Sequence, residues 1–200
     1  MGRVPRPDFE GAFVHVFTRG NNRAPVFLDG FDYADWLALL GRTVKRFGLI
    51  CHAYCVMPNH YHLLFETSLE PLSRGMRLLN GAFAQRTNLR YDRTGHLFER
   101  PYGLELVETD SHLLELCRYI PLNPVRAGLR ERAADWEASS YRATAGLQSG
   151  PPFLTTGFVR SLFGSGERAL TLYREFVAAG AASARAMSRD QVPGHGSRGQ

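Results

Sequence analysis

The residues with the clearest chemical potential are two histidines separated by one position, His60 and His62. Side chains alternate between the two faces of a β-strand, so both imidazoles would project from one face while Tyr61 points to the other. Glu66 would share the histidine face farther along the strand. Neighbouring imidazoles on a rigid strand can bind a divalent metal. A His-x-His triplet also arises often by chance, so by itself it does not identify a metal site.

A second candidate is Tyr119, which lies near the end of a predicted helix with Arg118 before it and Asn123 four residues later. Residues i and i+4 share a face of a continuous helix, which would bring the tyrosine and the amide together. Pro121 weakens this inference, because an internal proline removes a backbone donor and tends to kink a helix. A tyrosine at such a position is usually a packed aromatic residue. The residues alone leave both readings open, a nucleophile and a packed side chain.

The three cysteines, Cys51, Cys55 and Cys117, are too few and odd in number for a disulfide framework. Cys51 and Cys55 flank His52, but no second pair of ligands follows at the spacing of a zinc finger. Because free cysteines are usually buried, we expect three buried structural thiols.

The charge of the chain is compatible with a polyanionic partner. The formal net charge is +5, and Lys45 is the only lysine among the basic residues. Arginine suits phosphate binding and base stacking, although a GC-rich genome also raises the arginine content without a functional cause.

The composition is that of a globular protein, with 44% hydrophobic and 22% charged residues. No apolar run is long enough to cross a bilayer. The first ten residues carry prolines and charges in place of the apolar segment of a signal peptide. We therefore expect a cytoplasmic protein without a membrane partner.

Hydrophobic periodicity predicts the elements that position these residues. Strands are predicted over 12–18, 49–57 and 60–66, with short candidates at 97–98 and 102–107, and helices over 31–47, over 72–90 and from Thr109 or Asp110 onward. This order predicts an α+β fold, in which an antiparallel sheet carries helices packed on one face. The composition changes after about Arg132, so we expect one domain over 1–133, a helical extension over 134–180 and a disordered tail over 181–200, where there is little to bury.

Several stretches in this order resemble the REP-associated tyrosine transposases, relatives of the single-tyrosine insertion-sequence transposases within the HUH nucleases. The stretches are 57–64 (MPNHYHLL, similar to the His-hydrophobic-His motif), 19–23 (RGNNR), 95–98 (GHLF), 119–128 (YIPLNPVRAG), and, in the C-terminal part, 136–141 and 173–176. The resemblance spans roughly residues 11–180. It implies a ferredoxin-like HUH nuclease fold, with the catalytic domain in the first 133 residues.

The resemblance also implies roles for individual residues. His60 and His62 would be metal ligands, Asn123 the third ligand or a group beside it, and Tyr119 the nucleophile. The metal would be Mg²⁺ or Mn²⁺. The residues expected to contact DNA are Arg19, Asn21, Arg23, Arg100, Arg118 and Arg126, each of which could instead be a solvated surface residue.

The implied function is a metal-dependent endonuclease and strand transferase that forms a 5′-phosphotyrosine on single-stranded or hairpin DNA. It would act as a monomer or homodimer in the bacterial cytoplasm, associated with the nucleoid. Two other classes stay open: a DNA-binding repressor or architectural protein without catalysis, and a phosphodiesterase that uses water as the nucleophile. The presence of His60, His62 and Tyr119 counts against the first, and a covalent protein–DNA adduct would exclude the second.

Overall fold

A computed structural model describes residues 9–189, with no description of the side chains of 182–189. Its strands are β1 (Phe13–Arg19), β2 (Ile50–Met57), β3 (His60–Glu66) and β4 (Gly103–Leu106). Its α-helices are α1 (Gly30–Phe47), α2 (Leu72–Arg90), α3 (Asp110–Arg126), α4 (Tyr141–Thr144), α5 (Gly157–Ser161) and α6 (Gly166–Arg189). The predicted positions of these strands and of the first three helices are confirmed to within a few residues.

The four strands form one antiparallel sheet in the order β2-β3-β1-β4. β2 and β3 form a hairpin around Pro58 and Asn59, and β1 lies between β3 and β4. The α+β class with an antiparallel sheet is therefore confirmed. The short candidate at 97–98 is not a strand, since Phe98 makes only an isolated bridge to Gly20.

The prediction that the helices pack on one face of the sheet was wrong. Helices α1 and α2 cover the face formed by residues such as Val16, Val56 and Leu63, while α3 and α6 cover the face that carries Cys55 and Leu64. The reason lies in β2 and β3, which have buried side chains on both faces. A sheet that is apolar on both sides needs a helical layer on each.

The chain after α3 closes over the second face and over the edge of β2. Helix α6 packs along α3. The backbone of 138–140 hydrogen-bonds to Tyr54 and Val56 on β2, and the indole nitrogen of Trp136 donates to the carbonyl of Val56 at 2.9 Å. The extension is therefore helical as predicted, while its boundary near residue 133 stays a prediction.

The C-terminal end differs in part from its prediction. Helix α6 continues to Arg189 and so extends into the stretch after residue 180 that was expected to be disordered. The rest of the predicted tail, 190–200, lies outside the described residues.

The three thiols are buried and form no disulfide, as expected. Burial raises the pKa of Cys117 to about 12 and raises those of Cys51 and Cys55 further. Thiols held in their protonated form are poor zinc ligands. Within the described part of the chain, no helix combines the length and the apolar character needed to cross a membrane.

Candidate active site

The two histidines of β3 project together toward α3. Their ring centres lie 5.2 Å apart and the rings are nearly perpendicular. His60 is half-buried, whereas only 8% of His62 is exposed. On the neighbouring strand β1, Arg19 lies opposite His60 and Phe17 lies opposite His62. The predicted pair therefore occupies one face of a rigid two-strand platform.

One ring nitrogen of each histidine is already held by the protein. His60 Nδ1 lies 2.7 Å from Asn59 Oδ1, and the Asn59 amide nitrogen donates to the carbonyl of Arg23 at 2.9 Å. His62 Nδ1 lies 2.9 Å from Nε2 of a third histidine, His15 on β1. In both ligand candidates the Nδ1 atom is engaged in structure, so Nε2 is the atom available for coordination.

Burial keeps both imidazoles neutral. Desolvation, helped by the charges of His15, His60 and Arg19, lowers the pKa of His62 to about 2. Desolvation and the nearby Arg19 also lower the pKa of His60, against a hydrogen bond to the side chain of Asn123 that raises it. A neutral imidazole is the form that binds a metal, so no proton has to be displaced near neutral pH.

Helix α3 brings Tyr119 to the histidines. The helix is continuous through Pro121, so the disruption considered at that residue is not observed. The ring of Tyr119 meets that of His62 edge to face with the centres 5.3 Å apart. The guanidinium of Arg126, two turns along the helix, lies 5.3 Å from the centre of the Tyr119 ring. The half-buried tyrosine thus lies between an imidazole and a cation.

Asn123 shares the helix face of Tyr119, and its orientation has a local cause. Its amide nitrogen donates to the carbonyls of Tyr119 at 3.0 Å and Ile120 at 3.3 Å. The Ile120 carbonyl would normally accept from the backbone four residues later, but that residue is Pro124, which has no N–H. Because the amide nitrogen is bound to the helix, the amide oxygen is the end that can interact with His60.

These side chains fit a divalent cation that prefers oxygen in its remaining positions. Among the side chains that the structure describes, no group of three His, Cys, Asp or Glu residues is arranged to hold a metal. The donors offered are two neutral imidazoles and one amide oxygen, from His60, His62 and Asn123. None of them carries a negative charge, so a bound Mg²⁺ or Mn²⁺ would keep its full charge for phosphate and water oxygens.

Comparison with known proteins identifies the family. Residues 9–123 match the family described as Transposase IS200 like. The chain belongs to the IS200-like transposases. A Haemophilus influenzae relative that is named a REP-associated tyrosine transposase is 25% identical over an alignment of 149 residues, with a coverage of 68% of this chain and 84% of the relative. The structure of a REP-associated tyrosine transposase bound to a REP hairpin shares the fold, with a TM-score of 0.64 at 16% identity over 78% of this chain and 92% of that one.

These matches confirm the resemblance found in the sequence, and with it an enzyme class. Tyr119 and Asn123 both lie within the matched residues, as does the histidine pair. The tyrosine transposases are enzymes, so the transposase family and the α+β fold are established together.

The residues predicted to contact DNA are distributed unequally around this transposase site. Arg19 is exposed beside His60, and Arg126 lies over Tyr119. Arg118 instead forms an ion pair with Glu115 and lies 4.9 Å from the ring centre of Phe176 on α6. The guanidinium of Arg118 is thus engaged with the C-terminal helix.

The remaining predicted DNA contacts lie in the loops next to β1. Asn21 and Arg23 belong to an exposed helical turn directly after the strand. Asn21 and Arg100 line a cavity of about 600 Å³ between α2 and residues 95–102. Arg100 also lies 3.7 Å from a carboxylate oxygen of Glu99.

Two residues that touch the site were not predicted from the sequence, His15 and Asn59. Phe13, His15 and Phe17 alternate along β1, which signals that His15 faces the same side as its aromatic neighbours. That this side is also the side of His60 and His62 follows only from the pairing of β1 with β3.

Proposed function

We propose that this transposase is a metal-dependent nuclease and strand transferase for single-stranded DNA, with Tyr119 as the nucleophile. The observation that carries the proposal is the contact between Tyr119 and His62, whose ring centres lie 5.3 Å apart. A tyrosine kept only for packing would not need a pair of neutral imidazoles beside it and a guanidinium over its ring.

The proposed substrate is hairpin-forming DNA with single-stranded flanks. A relative with the same fold is bound to a REP hairpin. In this chain, Arg19 and Arg126 lie on either side of the proposed centre and can hold the phosphates of a strand that passes over it. An unpaired strand can bend to fit a fixed nucleophile more easily than a duplex can.

In the proposed reaction, His60, His62 and Asn123 hold Mg²⁺ or Mn²⁺, which when bound would polarise a non-bridging oxygen of the scissile phosphate. The Tyr119 hydroxyl loses its proton to solvent water, and its oxygen forms a bond to phosphorus. The bond from phosphorus to the 3′-oxygen breaks, and that oxygen takes up a proton to give a free 3′-hydroxyl. Arg126, which lies over the Tyr119 ring, would stabilise the negative charge that develops in the transition state. The 5′-phosphotyrosine conserves the phosphoester bond, so a 3′-hydroxyl can attack it in the reverse direction for strand transfer.

The test is to incubate the protein with Mn²⁺ and 3′-labelled hairpin DNA, because the 5′-phosphotyrosine retains the segment that runs to the 3′ end, and to separate the products under denaturing conditions. We expect a covalent protein–DNA adduct that is lost in Tyr119→Phe and in EDTA. Tyr33→Phe is the matched control, because Tyr33 is a half-buried tyrosine that packs on Phe27 on the opposite face of the sheet, and it should retain the adduct.

Three results would contradict the proposal. Adduct formation by Tyr119→Phe would assign the nucleophile to another residue. Cleavage without an adduct would point to water as the nucleophile. Hairpin binding with neither cleavage nor adduct would indicate a DNA-binding protein without catalysis.

A further inference from the structure

We propose that His15 is a positioning residue that fixes the proton of His62 on Nδ1 and so presents the Nε2 lone pair of His62 to the metal. The proposal rests on the metal-dependent function argued above. It concerns a residue on a different strand from the predicted motif, and among the side chains of residues 9–181 no carboxylate is hydrogen-bonded to His62 in its place.

The geometry of the contact is that of a buried hydrogen bond. His15 Nε2 lies 2.9 Å from His62 Nδ1, and the two rings are stacked at 20° with their centres 5.1 Å apart. His15 is 5% exposed and His62 is 8% exposed, so water does not compete for this contact. Such a bond needs one proton between the two nitrogens, and its direction decides which nitrogen of His62 is left with a lone pair.

The partner of the other ring nitrogen of His15 decides which of the two histidines donates this hydrogen bond. Its Nδ1 lies 3.5 Å from a carboxylate oxygen of Glu105 on β4, whose other oxygen lies 3.7 Å from His112 at the start of α3. A carboxylate accepts hydrogen bonds and does not donate them. His15 therefore carries its proton on Nδ1, and its Nε2 accepts. It follows that His62 donates through Nδ1, which leaves its Nε2 without a proton.

His60 shows the same arrangement by a different route. Asn59 donates its amide nitrogen to the carbonyl of Arg23, so the amide oxygen faces His60 and accepts from Nδ1. The asparagine oxygen accepts a hydrogen bond from Nδ1 of His60, as the His15 nitrogen does from Nδ1 of His62. The Asn59 contact thus favours a proton on Nδ1 of His60, while the side chain of Asn123, itself a proposed ligand, lies against the same imidazole. Partners that orient a ligand histidine in this way fix its tautomer and raise its basicity.

The first experiment reads the proton positions in the metal-free protein. Long-range ¹H–¹⁵N correlation spectra of histidine-labelled protein distinguish a protonated from an unprotonated ring nitrogen. We expect His15 and His62 both to carry the proton on Nδ1 at pH 7.5. A proton on Nε2 of His62 would overturn the proposal, whatever the outcome of the adduct assay.

The second experiment measures Mn²⁺ affinity by titration calorimetry for four variants of the full chain, with His62→Ala as the reference for the loss of a proposed ligand. His15→Phe keeps a ring but removes the acceptor, and we expect its Mn²⁺ affinity to fall roughly 10- to 100-fold. His15→Gln offers an amide oxygen to His62 Nδ1 and should recover most of the affinity. His52→Phe is the matched control, because His52 is also a buried histidine paired with a glutamate, Glu66 at 3.0 Å, on the same sheet.

An affinity of His15→Phe within twofold of the wild type would overturn the proposal, as would equal losses in His15→Phe and His52→Phe. If His15→Phe does not fold, the wild-type spectrum and the affinity of His15→Gln still decide the matter, since a loss in His15→Gln as large as that in His62→Ala would count against it. A wild-type protein that binds Mn²⁺ with the expected proton positions but forms no DNA adduct would contradict the proposed function and leave the role of His15 in place.

Discussion

Two arginines on α3 have different environments around the same tyrosine. Arg126 lies over the Tyr119 ring, while Arg118 is paired with Glu115 and packs against Phe176. Negative charge develops on the attacking oxygen and on the phosphate in the transition state, so a cation close to the ring would stabilise that state. We predict that Arg126→Gln slows adduct formation by roughly 10-fold or more, since a lost contact to a charged group is worth about 1.5–3 kcal/mol and about 1.4 kcal/mol is tenfold in rate.

The measurement for this prediction is the single-turnover rate of adduct formation with hairpin DNA at saturating concentration, so that weaker binding does not enter. Arg118→Gln is the comparison and should change this rate by less than threefold. A larger effect of Arg118→Gln than of Arg126→Gln would show that the arginine next to the tyrosine in sequence is the one that activates it.

At this scale the sequence predicted the site as far as local spacing reaches. His60 and His62 lie on one strand, and Tyr119 and Asn123 lie one turn apart on one helix, so spacing brings each pair together, while the roles proposed for them come from the family resemblance. His15 and Asn59 could not, because their roles depend on partners far away in the chain, His62 for one and the carbonyl of Arg23 for the other. The pairing of β1 with β3 is a tertiary fact that no local pattern contains.

Among the elements, the last turn of α3 links a proline to the orientation of a proposed ligand. Pro124 leaves the Ile120 carbonyl without its backbone donor, and the amide nitrogen of Asn123 takes that place at 3.3 Å. In Pro124→Ala the backbone N–H would compete for this carbonyl and release the Asn123 amide. We predict that the free energy of unfolding of this variant rises by about 1 kcal/mol, so that it unfolds at a higher temperature. Its affinity for Mn²⁺ should nevertheless fall, on the order of tenfold.

Pro121→Ala is the control for this effect on the same helix. It restores a donor to the carbonyl of Cys117, which Asn123 does not contact, so it should raise stability and leave the Mn²⁺ affinity unchanged. Calorimetric unfolding and Mn²⁺ titration of both variants provide the comparison. Equal Mn²⁺ affinity of Pro124→Ala and the wild type would show that Asn123 is held without help from the proline.

The elements themselves were predictable to within a few residues because their periodicity is strong. The layer arrangement was not, and the cause is visible in β2: Ala53, Cys55 and Met57 face α3 and α6, while Tyr54 and Val56 face α1 and α2. A strand that is apolar on both sides gives no alternating pattern from which to assign a solvent-exposed face. Pro121 misled for a different reason, since packing on the sheet keeps the helix continuous where its local sequence disfavours it.

Over the whole molecule, buried neutral histidines make stability depend on pH. His52 is enclosed by Phe13 and Phe158, and burial lowers its pKa against the opposing effect of Glu66. The unfolded chain binds a proton at this histidine below about pH 6.5 while the folded chain does not, so stability is complete above that pH and falls as the pH drops toward the folded pKa. We predict that the metal-free protein loses stability between pH 7 and pH 5.

The variant His52→Phe tests how much His52 contributes to the pH dependence of stability. The free energy of unfolding of this variant should fall less steeply with acid than that of the wild type, by up to about 2 kcal/mol at pH 5. One proton bound by the unfolded chain and not by the folded chain changes this free energy by about 1.4 kcal/mol per pH unit. Urea unfolding at pH 7, 6 and 5 provides the values. Parallel pH dependences of the two proteins would mean that His52 is protonated without cost in the folded state.

The net charge of the molecule does not by itself select among forms of DNA. With a net charge of +5 the chain attracts any nucleic acid, so charge alone cannot favour a hairpin over a duplex. The preference must come from the site, where Tyr119 is fixed by α3 and His62 by the sheet, and only a strand that can bend brings its phosphate between them.

We therefore predict that, at one ionic strength, a hairpin with single-stranded flanks outcompetes the same sequence as a linear duplex and an unrelated single strand. Removal of one exposed phosphate contact, as in Arg19→Gln, should reduce the slope of log affinity against log salt by about 0.7 for the single-stranded flank while the order of preference stays the same. Equal binding and cleavage of the linear duplex would show that the basic surface, and not the geometry around Tyr119, selects the substrate.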